Sequence, residues 1–225
     1  MSVQLPGLYA VTPDGLQAAD LLDRVRLSLA AGVRLLQYRA KPASGEAPGA
    51  RAATARAIAM ACRAAGALLI VNDDPALAAA VGADGVHLGR DDGTVAQARA
   101  HVGRTIVGVS CYDSLERALQ AEADGADYVA FGAMFPSRVK PAAVRASHAL
   151  LADARARLRV PIVAIGGIDL GNAPGVLQAG ADSLAVISAV YDAPDIAEAV
   201  RSFNQLIDPE TRRRPGTTGR DGSHP

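Results

Sequence analysis

Eight short apolar runs recur along the chain, and longer alanine-rich stretches separate them. The runs show little alternation of apolar and polar residues, which is typical of strands covered on both faces. They occupy residues 8–11, 35–37, 68–71, 85–88, 105–109, 128–131, 162–164 and 183–186. The stretches between them include residues 16–31, 50–65, 114–123 and 148–158, where Arg and Glu are interspersed among the alanines. This composition suits helices that pack one side on a sheet.

The tripeptide Gly-Ala-Asp occurs directly before three of these runs, at residues 82–84, 125–127 and 180–182, and Ala-Gly-Val at 31–33 is a looser copy. Glycine at such a point can adopt the left-handed conformation that ends a helix. Repeated helix–glycine–strand units predict parallel strands with right-handed crossovers. Eight such strands predict a single α/β domain, a (β/α)8 TIM barrel over residues 1–207. A doubly wound open sheet is the alternative, because counting strands does not establish closure.

Beyond this domain, residues 208–225 are polar, rich in Gly and Pro, and without apolar periodicity. The segment is predicted to be a disordered tail. Three consecutive arginines, residues 212–214, could form an anion-binding patch, but a solvated tail is the favoured interpretation.

The charge balance argues against two classes of partner. The 23 basic and 23 acidic residues cancel, so no global field favours nucleic acid or an anionic membrane. Cys62 and Cys111 are too few for a disulfide framework and have no metal-ligand spacing. The N-terminal residues lack the features of a signal peptide, and no apolar run approaches the length of about 20 residues needed to span a bilayer. We expect a cytoplasmic protein; the sequence does not indicate its oligomeric state.

Acidic residues follow two neighbouring runs. Residues 72–74, Asn-Asp-Asp, end the third run, and residues 90–92, Arg-Asp-Asp, come shortly after the fourth. A barrel gathers the carboxyl ends of its strands in one mouth, where active sites form. Carboxylate oxygens supplemented by water and phosphate describe a Mg2+ site. An Asp in this position can also be a helix N-cap, and Asp74 before Pro75 fits that role.

Lys41 and Lys140 are the only lysines, against 21 arginines, and both lie in loops after apolar runs. A lysine there can act as a point charge for a phosphate group, although a solvent-facing lysine is the simpler interpretation of either one. Their restriction to two loops at strand ends favours phosphate binding.

The loops after the last two runs carry Gly166-Gly167 and Ile187-Ser188. Barrels often bind phosphate at this place through backbone N–H groups. A tight turn is the less favoured alternative for the two glycines.

His87 lies within an apolar run and is predicted to be a core histidine with its hydrogen bonds satisfied. Cys62 is predicted to serve packing, and no partner base for Cys111 is evident.

Six segments together resemble the thiamine phosphate synthase family. They are LLQYRAK, VNDDPALAAAVGADGVHLGRDD, GVSCY, GADYVAFGAMFPSRVK, IVAIGGI and AGADSLAVISAV, within about residues 35 to 190. The resemblance implies a TIM-barrel transferase that joins 4-amino-5-hydroxymethyl-2-methylpyrimidine diphosphate to hydroxyethylthiazole phosphate or its carboxylated form. The implied products are thiamine phosphate and pyrophosphate, formed by Mg2+-assisted dissociative loss of pyrophosphate. Such a reaction needs no general base, and no nucleophile–base pair is evident in the sequence.

The resemblance also implies roles for individual residues. The pyrimidine diphosphate site would comprise Gln37, Tyr38, Arg39, Ala40, Lys41, Asn72, Ser110 and Lys140, with Lys41, Ser110 and Lys140 acting in catalysis. Asp73 and Asp92 would bind one Mg2+ per subunit. The thiazole phosphate site would comprise Ser137, Arg138, Val139, Gly166, Gly167, Ile187 and Ser188.

Two segments depart from the family pattern. Residues 137–140 read Ser-Arg-Val-Lys where the family commonly has Thr-x-Thr-Lys, so Val139 cannot offer a hydroxyl group. Residues 39–42 read Arg-Ala-Lys-Pro in place of Arg-Glu-Lys-Gly, which keeps both cations.

Two alternatives remain beside the synthase: a thiazole tautomerase-like barrel and a catalytically silent sensor of thiamine phosphates. Both acidic clusters and both lysines favour the synthase, because a tautomerase has little use for a diphosphate site.

Overall fold

The apolar runs form eight parallel strands in the computed structural model, which describes residues 5–40, 49–136 and 145–208. The strands are β1 (Leu8–Val11), β2 (Leu35–Tyr38), β3 (Leu68–Asn72), β4 (Gly85–Leu88), β5 (Ile106–Tyr112), β6 (Tyr128–Phe131), β7 (Ile162–Ile165) and β8 (Ser183–Val186). The helices of the described residues are α1 (Ala18–Ala30), α2 (Ala50–Ala64), α3 (Pro75–Val81), α4 (Val95–Val102), α5 (Leu115–Ala123), α6 (His148–Arg157), α7 (Ala173–Gln178), α8 (Ser188–Tyr191) and α9 (Ile196–Ile207).

The strands close into a barrel in sequence order, which excludes the doubly wound alternative. Closure is made by β1 and β8, which pair in parallel with Leu8 opposite Leu184 and Ala10 opposite Val186. The predicted single (β/α)8 TIM barrel is therefore confirmed. Among the described residues, none of the helices is long and apolar enough to cross a membrane.

Strand residues alternate between two apolar layers. One set faces outward, where Leu36, Leu69 and Val86 join the helices in the larger core. The other set faces the barrel interior, and it includes Tyr9 and Tyr128 among aliphatic side chains. Burial of both faces explains why the runs lacked polar alternation in the sequence.

Two boundaries differ from the sequence prediction in an informative way. Strand β5 continues past residue 109 to Tyr112, and its register against β6 shifts between Ser110 and Tyr112. Ser110 therefore lies within the strand instead of after it. Helix α1 begins at Ala18 and not at residue 16. At the other end of the domain, Asp208 is the C-cap of α9, and the rest of the predicted tail, including residues 212–214, lies outside the described residues.

The Gly-Ala-Asp repeat has a second role that the sequence did not reveal. Its glycines adopt positive φ angles as expected, with 63° at Gly82 and 88° at Gly125. Each aspartate then accepts a hydrogen bond at 2.8 Å from a backbone N–H of the preceding strand, pairing Asp84 with Leu69, Asp127 with Val107 and Asp182 with Ile162. In each pair the aspartate N–H also donates to the carbonyl of the same partner. The repeat thus fastens three strand pairs in register.

Asp127→Ala should lower the free energy of unfolding by about 2 kcal/mol, because it removes a charge-assisted hydrogen bond and leaves the Val107 N–H without its acceptor. Arg99, which binds the same carboxylate at 2.6 Å, also loses a partner. Urea unfolding measures the change. Asp124→Ala in the same connection is the control, since this exposed carboxylate accepts from the Gln120 amide at the surface. Equal effects of the two substitutions would contradict the role of the repeat.

Candidate active site

The carboxyl ends of neighbouring strands bring the predicted polar residues into one mouth. Asn72 ends β3 and Asp73 follows it, while Asp92 lies in the loop after β4. Asn72 and the Arg39 charge act to lower the pKa of the Asp73 carboxyl, whereas the Asp92 carboxylate acts to raise it. The structure therefore brings together four residues that are separated by up to 53 positions in the chain.

The two carboxylates are held in place by the backbone around them. Asp73 has a φ of 64°, in the left-handed region that costs a non-glycine residue free energy, and its N–H donates to the His87 carbonyl at 2.8 Å. The Asp92 Oδ2 atom accepts from the Gly89 N–H at 2.7 Å. A Cβ atom on Gly89 would lie 2.6 Å from that oxygen and 3.7 Å from Asp73 Oδ1. Gly89, which sequence reasoning missed, leaves room for both acids.

Crowding of like charges is visible in the acid pair. Partial burial, followed by the adjacent Asp92 carboxylate, raises the pKa of Asp73 to about 6, and Asn72 and Arg39 only partly oppose this. Two hard oxygen donors that repel one another suit a divalent cation whose other ligands are water and phosphate. Among the described residues, no cluster of three or more His, Cys, Asp or Glu side chains could hold a metal by itself. The donor set fits Mg2+ carried with a phosphorylated ligand.

This crowding gives the metal-free protein a distinct pH dependence. The folded pKa of Asp73 lies above its ordinary value of 3.8, so its stabilising contribution is full below about pH 4 and is lost as the pH rises through about 6. In EDTA, Asp92→Asn should therefore become progressively more stable relative to the wild type over this range. The amide oxygen of Asn can still accept from Gly89, which preserves the loop.

Urea unfolding of both proteins at several pH values measures this difference. His87 contributes the opposite slope, because burial lowers its pKa to about 4 from an ordinary 6.5, and the Asp92 charge opposes this lowering in the wild type alone. Above about pH 4 the imidazole is neutral in both folded proteins, so the pH dependence of the stability difference from there to pH 6 isolates the acid pair. A stability difference that is independent of pH would contradict the proposed repulsion.

Arg39 is anchored on the other side of this mouth by the loop after β1. Its side chain forms an ion pair with Asp14. Its backbone N–H donates to Thr12 Oγ1 at 2.8 Å, and the Thr12 hydroxyl donates to the Arg39 carbonyl at 3.0 Å. Thr12 is fully buried, so the pair of bonds fixes the end of β2 against β1. Neither partner was singled out from the sequence, because each lies about 25 residues from Arg39.

Asp74 is structural, as the sequence predicted. Its Oδ1 atom accepts from the Leu77 N–H at 2.8 Å, which caps α3, and Pro75 occupies the first turn. Its Oδ2 atom accepts from Arg51 at 2.9 Å. Two adjacent carboxylates thus serve different purposes, with Asp73 facing the mouth and Asp74 holding a helix.

Inside the barrel, five polar side chains form a continuous hydrogen-bonded chain. Gln37 Nε2 donates to the Tyr9 hydroxyl, which bonds to the Tyr128 hydroxyl, and each distance is 2.9 Å. The Tyr128 hydroxyl contacts His87 Nδ1 at 2.9 Å, and His87 Nε2 contacts Ser110 Oγ at 2.8 Å. His87 is 7% exposed with both ring nitrogens satisfied, so the prediction of a core histidine is confirmed. This hydrogen-bonded chain joins two predicted site residues, Gln37 and Ser110.

Two further predicted residues lie beside these. Tyr38 is buried, and its hydroxyl donates to the Arg51 carbonyl of α2 at 3.4 Å, so its ring lies between the barrel and the helices. Ala40 is half-buried after the end of β2. Lys41, Ser137, Arg138, Val139 and Lys140 lie outside the described residues.

The loops after β7 and β8 line a common cleft that contains Gly166, Gly167, Ile187 and Ser188. The glycines have φ angles of 104° and 65°, and each packs against the loop after β6. A Cβ on Gly166 would lie 2.7 Å from Ala133 Cα, and one on Gly167 would lie 2.6 Å from the Pro136 carbonyl oxygen. These glycines therefore permit close approach of the loop that leads to residue 137.

Comparison with known proteins identifies the family. The family model described as thiamine monophosphate synthase matches residues 8–190. The chain belongs to this family. A thiamine-phosphate synthase of Methylococcus capsulatus is 53% identical over 210 residues, which is 93% of this chain and 92% of that protein. One from an Azoarcus species is 54% identical over 208 residues, which is 92% of this chain and 100% of that protein.

A solved structure agrees with the sequence relatives. The thiamine phosphate pyrophosphorylase of Pyrococcus furiosus superposes with a TM-score of 0.77 at 33% identity, covering 89% of this chain and 95% of that one. The resemblance drawn from the six sequence segments is confirmed as a family assignment.

Proposed function

We propose that the chain is a thiamine-phosphate synthase, a transferase that joins 4-amino-5-hydroxymethyl-2-methylpyrimidine diphosphate to hydroxyethylthiazole phosphate or its carboxylated form. The products are thiamine phosphate and pyrophosphate, together with carbon dioxide when the carboxylated form is the substrate. The observation that carries this proposal is the paired carboxylates of Asp73 and Asp92 at the mouth of a barrel whose relatives carry this name over nearly their whole length.

The acid pair would hold one Mg2+ per subunit. This proposal is supported by the crowding of Asp73 against Asp92 and by the space that Gly89 leaves beside both. When bound with the diphosphate, the cation supplies charge neutralisation that makes pyrophosphate a better leaving group. Arg39 would add a second positive charge, held ready by its ion pair with Asp14. Lys41 and Lys140 are proposed to contact the same diphosphate on the basis of the family resemblance.

Chemistry at the reacting carbon then needs positioning and electrostatic stabilisation, without a general base. Loss of pyrophosphate leaves a cation that the aminopyrimidine stabilises, and the thiazole nitrogen attacks it. Burial raises the pKa of the Cys111 thiol to about 12, which argues against a thiolate nucleophile at this site. Gln37, Asn72 and Ser110 are proposed to orient the pyrimidine.

The thiazole phosphate is proposed to bind between the loops after β6, β7 and β8. Support comes from the common cleft of Gly167, Ile187 and Ser188, and from the close packing of Gly166 on the loop after β6. Contributions of Ser137, Arg138 and Val139 remain predictions from the sequence. So do the cytoplasmic location and the use of small phosphorylated substrates without nucleic-acid or membrane partners.

Product analysis tests the function. Pyrophosphate and thiamine phosphate are quantified while the pyrimidine diphosphate, the thiazole phosphate and Mg2+ are each omitted in turn. We expect equal amounts of both products only when all three are present. Conversion of a thiazole tautomer without the pyrimidine would instead indicate a tautomerase. Mg2+-dependent binding of the pyrimidine diphosphate without turnover would indicate a sensor.

Asp92→Asn should lower turnover at least about 100-fold, because a neutral amide gives little charge to a cation that must neutralise the leaving group. The fold should survive, since the amide oxygen can still accept from Gly89. Asp91→Asn is the matched control, because Asp91 is an exposed carboxylate in the same loop. Turnover within about twofold of the wild type in both variants, by the same pyrophosphate assay, would refute the role of Asp92.

A further inference from the structure

The hydrogen-bonded chain inside the barrel is unusual because barrel interiors are normally filled by layers of aliphatic side chains. Here Tyr9 and Tyr128 are 1% and 0% exposed, and both of their hydroxyls and both ring nitrogens of His87 have hydrogen-bond partners. The surrounding residues accommodate it. A Cβ on Gly108 of β5 would lie 2.0 Å from Tyr128 Cζ, so only glycine leaves space for this ring. The Tyr128 ring also stacks on His87 at 5.5 Å.

The number of hydrogens on each group sets the direction of donation along this hydrogen-bonded chain. Burial raises the pKa of both tyrosine hydroxyls, so each keeps its single hydrogen. Because Gln37 Nε2 donates to Tyr9, the Tyr9 hydrogen is available for Tyr128, and the Tyr128 hydrogen for His87 Nδ1. The hydrogen of the neutral imidazole then lies on Nε2 and is donated to Ser110.

Hydrogen donation in the reverse direction is less favourable in free energy when Gln37 Nε2 faces Tyr9. If Tyr128 donated to Tyr9, the Tyr9 oxygen would accept twice. Its own hydrogen would then have no acceptor among the contacts that the described residues make, at a cost of about 1–3 kcal/mol. The direction that satisfies both tyrosine hydroxyls and the imidazole leaves one group unused at each end. Gln37 keeps its Oε1 acceptor, and Ser110 keeps its O–H donor.

We propose that Tyr9, Tyr128 and His87 are positioning residues that fix Gln37 as an acceptor and Ser110 as a donor toward the pyrimidine. The inference rests on the proposed function, which assigns both end residues to the pyrimidine site. An aminopyrimidine offers amino hydrogens and ring nitrogens, and these are complementary to an acceptor and a donor, respectively. A 4-oxo pyrimidine offers a carbonyl oxygen in place of the amino hydrogens, so the same chain selects against it.

The first test is the tautomer of His87 in the wild-type protein, read by nitrogen NMR on histidine-labelled protein. The signal is assigned by its loss in His87→Gln. We expect an Nε2–H tautomer with Nδ1 unprotonated. An Nδ1–H tautomer would mean that hydrogen donation runs in the opposite direction, from Ser110 toward Gln37, and would overturn the proposal. This measurement needs neither substrate nor turnover, so it stands apart from the proposed function.

The second test is Tyr128→Phe, which removes one hydroxyl and keeps the ring over Gly108. We expect kcat/KM for the pyrimidine diphosphate to fall about tenfold or more, with KM for the thiazole phosphate within about twofold. The preference for the 4-amino over the 4-oxo pyrimidine diphosphate should narrow, which a purely structural role would not cause. His87 should lose its fixed tautomer.

The matched control is Tyr191→Phe. Tyr191 is equally buried, but its hydroxyl bonds to Ser28 of α1 at 3.2 Å, outside the barrel. It should lower the melting temperature and leave kcat/KM for the pyrimidine diphosphate unchanged. If the wild type makes no thiamine phosphate, the proposed function fails. If the wild type is active and Tyr128→Phe retains both its kcat/KM and its substrate preference, the positioning role fails.

Discussion

Parallel pairing of β1 with β8 closes the barrel and so determines where every loop of the candidate site lies. Because all eight strands are parallel, closure directs every carboxyl end to the same mouth, and residues from four consecutive strands become neighbours. The Gly-Ala-Asp repeat supports closure from the opposite end, where Asp84, Asp127 and Asp182 each bind the preceding strand. The contacts that hold neighbouring strands together therefore lie at one end of the barrel, and the candidate site lies at the other.

The mouth combines two electrostatic environments that suit different parts of the proposed substrate. Asp73 and Asp92 repel one another at the solvent side, which destabilises the metal-free site, and a bound cation would relieve this repulsion. Below them, neutral groups from Gln37 to Ser110 form a continuous hydrogen-bonded chain. The first environment suits a charged diphosphate, and the second suits an uncharged heterocycle. In the proposed function, the acid pair would lower stability in exchange for metal binding, as is common at active sites.

The sequence predicted the barrel, the acid pair and the helix-capping role of Asp74, because each depends on local periodicity or on a residue's position after a strand. It missed Tyr9 and Tyr128, which read as ordinary strand residues and meet across 119 positions in the chain. It also ended β5 too early, since the register shift beyond Ser110 arises from pairing with β6 and not from local composition. Long-range contacts of this kind follow only from the closed fold.

Calorimetric titration with pyrophosphate measures whether the acid pair binds a diphosphate through Mg2+. The wild type should bind pyrophosphate at least about tenfold more tightly with Mg2+ than with EDTA, and Asp92→Asn should lose most of that difference. Equal affinity with and without Mg2+ in the wild type would contradict the account, because the arginine and lysine side chains alone would then explain binding.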